Sequence, residues 1–295
     1  PASSTPLSSI ELAKIIAKTN LPAGAFSVLP MDRKNGNKMV TDERFSVLSF
    51  TGSAEVGWEM KKNAGKKKVL LELGGNAAVI ISDDADIDEV CKKSVVAGFS
   101  YSGQICIHAQ RFYIHEKVMD KFTSAFVKAV KELKSGDPKD AETDVSVMID
   151  QANADRVEVW VNEAVDKGAK VLCGGKKDGS FYEPTIITNA SGDMKVYSEE
   201  VFGPVVTIDT FSTMEEAVAK VNDSKFGLQA GVFTNSQKDL DYAFNNLQVG
   251  GVILNDMPTF RADHMPYGGV KDSGFGREGV RYAMLEMMEP RILVK

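Results

Sequence analysis

Two short apolar runs, residues 68–73 and 77–82, flank Gly74-Gly75 and constrain the fold more than any other feature of the chain. Each has the length of a strand, and neither alternates polar with apolar residues, so both belong to sheets covered on their two faces. Helix and strand signals alternate around them. Ile10, Ala13, Ile16 and Ala17 share one helical face, with Ser8 or Ser9 in capping position and LPAG after Asn20 as a stop. A strand is expected at 26–29, a polar turn at 33–37, a strand at 45–50 and a helix at about 54–63. Asp83 to Asp88 opens a helix running to about Gly98. Beyond it come a strand at 111–115, helices at 118–134 and 152–167, and strands at 170–173, 184–188 and 206–211. A helix at 214–221, a strand at 230–234, a helix at 240–247 and a strand at 251–255 follow. A glycine-rich loop at 268–276, a helix from Glu278 and a strand at 291–294 close the chain. The fold class is α/β with a parallel sheet, and 295 residues fit two domains.

Composition excludes several functions. Thirty-five Lys and Arg against 41 Asp and Glu leave a net charge of -6 with both signs scattered, which argues against nucleic acid or an anionic membrane as the partner. Cys91, Cys106 and Cys173 form no CxxC pair, so neither a disulfide framework nor a structural zinc site is expected, and no other metal site is. That cysteine usage favours a reducing, cytoplasmic setting. No apolar run approaches the ~20 residues that span a bilayer, and PASSTPLSS lacks the features of a signal peptide.

Three places can carry chemistry. In KKVLLELGG a single carboxylate, Glu72, ends an apolar strand. Buried there it would be a base with a raised pKa; at a sheet edge it would sit in solvent. In SGQICIHAQR, Cys106 follows Gly103 and Gln104, a setting where a thiolate can meet backbone amides able to hold an oxyanion, although a lone cysteine is commonly inert core. His108, two residues on, invites a Cys-His hydrolase reading, a weak one because such a base usually comes from elsewhere in the fold. SFTGSAEVG, residues 49–57, is a strand, a glycine turn and a helix start, which offers free amides to a pyrophosphate. Other patterns fail their own tests. Asp84, Asp86 and Asp88 have calcium-loop spacing but meet Glu89 where glycine is required. The glycines after Cys173 lack the GKS or GKT of a phosphate loop, and Gly269, Gly274 and Gly276 follow no strand directly.

LELGG with Glu72, GQIC with Cys106, EEVFGP at 199–204 and MPYGGVKDSGFGREG at 265–279, in that order, resemble the aldehyde dehydrogenase superfamily over essentially the whole chain. FTGSAEVG matches that family's cofactor turn, and ILNDMPTFRADHMPYGG looks most like its lactaldehyde-dehydrogenase-like branch. The resemblance implies a partial Rossmann-type cofactor domain at 1–74, an α/β catalytic domain at 75–279 and a C-terminal segment at 280–295 that returns to the cofactor and oligomerisation region. It implies Cys106 as nucleophile and Glu72 as the base that activates the hydrolytic water. Ser3, Thr51, Gly52, Ser53, Val56, Leu73, Gly74, Glu200 and Phe202 would contact the cofactor. Ser100, Tyr101, Ile107, Phe260, Arg261 and Tyr267 would line the aldehyde tunnel.

Ser3 stands where NAD-selective members often carry Glu, and a small neutral side chain leaves room for a 2'-phosphate, which tips NADP or NAD towards NADP. Ser100 and Arg261 favour a short polar aldehyde, lactaldehyde-like or semialdehyde-like, with an Arg261–Asp263 surface ion pair as the alternative for that cation. The family's cofactor-binding Lys and oxyanion-hole Asn match nothing in this sequence, so the chain resembles a C-terminal fragment with poor activity. Alternatives are an acylating relative, a cysteine hydrolase and a non-catalytic truncated module. RILVK resembles a strand that pairs with a second copy, which implies a homodimer or homotetramer.

Overall fold

The computed structural model describes residues 1–295. The chain forms two compact units, one of residues 1–48 and 58–69 and the other of residues 49–57 and 70–295. It opens with α1 (Leu7–Ile16), α2 (Arg33–Thr41), β1 (Val47–Thr51), α3 (Ala54–Asn63) and β2 (Lys68–Glu72). Then come β3 (Ala78–Ile81), α4 (Ile87–Phe99), β4 (Arg111–His115), α5 (Met119–Lys131), α6 (Gln151–Asp166) and β5 (Lys170–Cys173). The ribbon β6 (Lys177–Asp178) and β7 (Phe181–Tyr182) precedes β8 (Thr185–Thr188), the short α7 (Lys195–Ser198), β9 (Val205–Phe211) and α8 (Met214–Asn222). The chain ends through β10 (Phe226–Gly227), β11 (Gln229–Phe233), α9 (Gln237–Asn246), β12 (Gly251–Leu254), β13 (Val270–Lys271), β14 (Gly274–Phe275) and α10 (Val280–Met287).

The larger unit is built on a seven-stranded sheet of order β12-β11-β3-β4-β9-β8-β5. Its pairs are parallel except the edge pair of β5 with β8. Period-two alternation splits β3 and β4 between two cores. Val79, Ile81, Phe112 and Ile114 face one side with Val90 and Phe99 of α4 and Phe122 and Phe126 of α5. Ala78, Ile80 and Tyr113 face the other with Met214, Ala217 and Val218 of α8 and Ala243 of α9. All four β3 residues are buried, and each large aliphatic among them contributes about 1.5–3 kcal/mol over exposure. The run at 77–82 is therefore part of a covered parallel sheet as expected, while the run at 68–73 forms β2 outside that sheet, antiparallel to β14. No helix of the chain is long and apolar enough to cross a membrane.

In the smaller unit only Val40 and Ala64 are buried apolar residues, and α1 buries none. Several local expectations are corrected here and at the C-terminus. Residues 26–29 are irregular, with Phe26 and Leu29 exposed, because a four-residue run becomes a strand only beside a partner edge. The turn expected at 33–37 is the first half of α2, where the Asp32 carboxylate accepts the Asn35 amide at 2.8 Å and outweighs the turn preference of Asn35 and Gly36. Helix α1 starts after Pro6 without a side-chain cap from Ser8 or Ser9. Residues 291–294 form no strand, and Ile292, Leu293 and Val294 are exposed. Asp86 does cap α4, accepting from the Asp88 and Glu89 amides, so the acidic run is a helix start.

Candidate active site

Glu72 ends β2, where it pairs with Gly274 of β14 across an antiparallel ladder. It is 8% exposed, which rules out the solvent-edge alternative. Burial, reinforced by the Glu278 carboxylate and opposed by Arg261 and Arg277, pushes its pKa up to about 8. Oε2 has no hydrogen-bond partner, and a Cβ added at Gly268 would stand 3.2 Å from Oε1. A carboxyl group so placed exchanges protons near neutrality and leaves one buried oxygen without a hydrogen-bond partner.

Cys106 is delivered by a tight turn after α4 in which Tyr101, Ser102 and Gly103 all take positive φ. Only glycine fits at 103, since a Cβ there would strike the Gly203 carbonyl, so this glycine serves packing against the 203–204 backbone. The Ser102 hydroxyl donates to the Ser146 carbonyl at 2.7 Å and anchors the turn. Residues 104–110 are irregular, and within them Cys106 is half-buried with Sγ 3.4 Å from the Tyr267 hydroxyl. Burial raises its thiol pKa, the Tyr267 hydrogen bond lowers it, and the Glu200 and Glu72 carboxylates raise it further. His108 is fully turned into the protein: a ring nitrogen lies 2.8 Å from the Gly98 carbonyl, and burial lowers its pKa to about 4. It is not placed as a base for Cys106.

Glu200 comes to the same place from the loop before β9. Its Oε1 accepts the Gly75 amide at 2.9 Å, and its carboxylate occupies the space a Cβ on Gly74 would need. Burial, against the Gly75 bond and the Arg156 charge, raises its pKa to about 7. A Cβ on Gly75 would lie 2.6 Å from the Cys106 carbonyl and 3.5 Å from Leu228. Gly75, Cys106, Glu200 and Leu228 thus meet just ahead of β3, β4, β9 and β11, at the amino ends of adjacent sheet strands. Open α/β sheets ordinarily bind ligands at the carboxyl ends.

The model of the aldehyde dehydrogenase family matches residues 1–293. The chain belongs to that family. It is 44% identical over 295 residues to 3-sulfolactaldehyde dehydrogenase of Priestia aryabhattai, covering all of this chain and 62% of that protein. Over 299 residues it is 41% identical to lactaldehyde dehydrogenase of Methanococcus aeolicus, covering all of this chain and 64% of that one. Aldehyde dehydrogenase 21 of Physcomitrella patens, solved with the product succinate, superposes with a TM-score of 0.96 at 49% identity, over 98% of this chain and 60% of that one. Glyceraldehyde-3-phosphate dehydrogenase GapN of Methanocaldococcus jannaschii, complexed with NADP, gives 0.93 at 41% identity, over 97% and 64%. The chain spans about three fifths of the length of the relatives it matches.

Two buried side chains that sequence reasoning passed over hold this candidate site together. Gln110 donates Nε2 to the Val196 and Glu199 carbonyls at 3.1 and 2.8 Å and accepts the Val201 amide at 2.9 Å, gripping the backbone either side of Glu200. Arg111 donates to the carbonyls of Asn76, Lys220 and Val221, tying the Gly75–Asn76 strip to the end of α8. Arg156 of α6 adds a bond to the Val201 carbonyl at 2.8 Å. The one local signal was a Gln-Arg pair opening an otherwise apolar strand.

The remaining candidates are spread more widely. Ile107 clusters with Tyr267 and Leu228 beside Cys106. Arg261 lies 4.2 Å over the Tyr267 ring and pairs with Glu278 at 2.8 Å, so the Asp263 pairing is replaced by a partner that also acts on Glu72. The Phe260 carbonyl accepts from Gln229, and its ring is exposed. Ser100 is half-buried and Tyr101 exposed, on the turn before Cys106. Leu73 and Gly74 are buried; Gly52 donates its amide to the Glu72 carbonyl at 3.0 Å, with Thr51 and Ser53 exposed beside it and Val56 half-buried on α3. Phe202 is exposed at positive φ, and Ser3 is exposed in the smaller unit.

Proposed function

We propose that this chain carries the chemistry of an NAD(P)-dependent aldehyde dehydrogenase that converts a short polar aldehyde to its carboxylic acid. The observation that carries the reading is the convergence of Cys106, Glu72 and Glu200 on Gly74–Gly75, with Glu72 poised near pH 8. Cys106, as thiolate, attacks the aldehyde carbon; the carbonyl electron pair moves to oxygen, held in part by the Cys106 amide. A nicotinamide held here would supply the hydride acceptor needed to oxidise this adduct to a thioester. Glu72 then takes a proton from water, whose hydroxyl adds to the acyl carbon as the carbon–sulfur bond breaks.

The residues fit such a cofactor. The side-chain-free strip at Gly74 lies against the Glu200 carboxylate, which spends Oε1 on the Gly75 amide and presents Oε2 to that gap. In this reading Glu200 would accept ribose hydroxyls, Phe202 would pack against the nicotinamide end, the 51–53 turn would meet the pyrophosphate, Val56 the adenosine, and Ser3 would tolerate a 2'-phosphate. Residues 1–74 serve the cofactor and residues 75–279 the chemistry. The buried Glu72 favours hydrolysis over acyl transfer, and the bond of His108 to Gly98 counts against a cysteine hydrolase. Lactaldehyde-like substrates agree with the names of the relatives, a semialdehyde-like one with the product succinate of aldehyde dehydrogenase 21, and both with a cation at Arg261. A soluble, cytoplasmic homo-oligomer completes the reading.

The test is nicotinamide reduction with NADP and NAD over short aldehydes, in wild type and Cys106→Ala. Slow reduction that vanishes with Cys106, at higher efficiency with NADP, is expected, since the chain lacks the family's cofactor-binding Lys and oxyanion-hole Asn. Reduction that survives Cys106→Ala overturns the assignment, and a tenfold preference for NAD overturns the cofactor choice. If wild type reduces neither, the same pair of chains extended to the length of the relatives decides.

A further inference from the structure

The sulfur of Cys106 sits in a place that disfavours its charge. It is desolvated, and the two nearest ionisable side chains that act on it, Glu200 and Glu72, are carboxylates. Neither lysine nor arginine touches it, and His108 is engaged elsewhere. One side chain stands in hydrogen-bonding contact with it, Tyr267, whose hydroxyl lies at 3.4 Å. Geometry built around that tyrosine keeps it there. Its ring is 3% exposed and packed with Ile107 and Leu228. Its backbone forms an antiparallel bridge with Glu278, the Glu278 amide donating to the Tyr267 carbonyl at 2.6 Å. The Glu278 carboxylate in turn holds Arg261 at 2.8 Å, and the guanidinium carbon lies over the Tyr267 ring, 4.2 Å from its centroid. A cation over a phenol withdraws electron density and strengthens the hydroxyl as a donor.

We infer that Tyr267 is a catalytic residue: its hydroxyl donates a hydrogen bond to the Cys106 sulfur, stabilising the thiolate before attack and again when the thioester breaks. The inference rests on the reading of Cys106 as nucleophile. No proton leaves Tyr267; the burial that raises its own pKa keeps it a donor throughout the working range. In thioester hydrolysis the carbon–sulfur bond breaks with its electron pair left on sulfur, the water's hydroxyl stays on the acyl carbon and its proton passes to Glu72. The leaving sulfur is then an anion in a desolvated place with the Glu200 carboxylate acting on it, where a donor at hydrogen-bond distance has its largest effect. Arg261 acts on the sulfur only through Tyr267 and Glu278, which makes it a positioning residue for this step.

The experiment reads Cys106 without aldehyde or cofactor, so its outcome is separate from that of the dehydrogenase assay. Iodoacetamide alkylation of Cys106 in the 295-residue chain is followed by peptide mass spectrometry across pH, which distinguishes it from the buried Cys91 and Cys173. In Tyr267→Phe the inflection is expected to rise by about one pH unit, making alkylation below it roughly tenfold slower, the loss of one bond to a charged sulfur. A mere packing role leaves the profile where it was, because the ring is retained. A Tyr267→Phe profile that superimposes on wild type or moves down overturns the inference, as does a wild-type Cys106 whose alkylation does not rise with pH. Should Tyr267→Phe fail to show a cooperative thermal transition, 3-fluorotyrosine at 267 decides: its stronger donor lowers the inflection, and an unchanged or raised one overturns the inference.

Discussion

The amide of Gly75 donates to Oε1 of Glu200 at 2.9 Å while the same glycine lies so close to Cys106 that a Cβ would come within 2.6 Å of the Cys106 carbonyl. One side-chain-free residue therefore sets the spacing between a buried carboxylate and the Cys106 backbone. Two predictions about geometry and two about charge follow from the surroundings of this contact.

Gly75→Ala should keep the fold and lose most of the rate. The methyl has backbone on one side and Leu228 on the other, so the Cys106 segment must move. A displacement approaching an ångström costs on the order of a hundredfold in rate. Steady-state kinetics with circular dichroism as a control checks it, and wild-type turnover would show that the segment relaxes without consequence.

Arg111→Met should destabilise by about 3 kcal/mol, because the Asn76, Lys220 and Val221 carbonyls lose their donor in a buried setting. Urea denaturation measures this. The variant should also slow the enzyme more than a distant core substitution of equal cost, since the Asn76 carbonyl anchors the strip that carries Gly75.

Glu72 and Glu200 hold protons in the folded chain up to about 8 and about 7, above the ordinary 4.5 at which the unfolded chain releases them. Their contribution to stability is complete below the unfolded value and is lost as pH rises through the folded values. Thermal unfolding of wild type should therefore weaken from about pH 5 to about pH 9, and Glu72→Gln should weaken less over the same range. In kinetics, thioester hydrolysis should climb with pH through about 8 as Glu72 becomes a base, a limb that Glu72→Gln abolishes. A limb that persists in Glu72→Gln assigns it to another group.

Arg261→Ala should shift preference away from polar and anionic aldehydes towards alkyl ones, by roughly tenfold in relative kcat/KM for one lost charge-assisted bond. Competition between lactaldehyde and an alkyl aldehyde of equal length measures it. An unchanged ratio would leave Arg261 serving only Glu278 and the Tyr267 ring.

Much of this was legible in local pattern. The apolar runs around Gly74-Gly75 became β2 and β3, and the spacing of the later helices and strands carried over with boundary shifts of a few residues. Motifs in order, each bound to chemistry by its residue types, were enough to reach the family. Elements that need a partner edge were not legible: residues 26–29 and 291–294 have strand composition and pair with no other strand of this chain, while Gly274–Phe275, two residues in a glycine-rich loop, are a strand because β2 lies beside them. Pairing is a property of two segments, and only one of them is local.

The same distinction separates what sequence determined about the site from what tertiary structure decided. Sequence by itself determined the reactive groups: a thiol after a glycine turn, a carboxylate ending an apolar strand, a second carboxylate before a strand. Tertiary structure alone decided that Glu72 is buried without a partner for Oε2, that Glu278 and not Asp263 takes Arg261, and that Tyr267 reaches Cys106 from 161 positions away. It also decided that Gln110 and Arg111, polar residues at the head of a buried strand, act as clamps. Desolvation and hydrogen bonding depend on what surrounds a group in space, and segments far apart in the chain supply those surroundings.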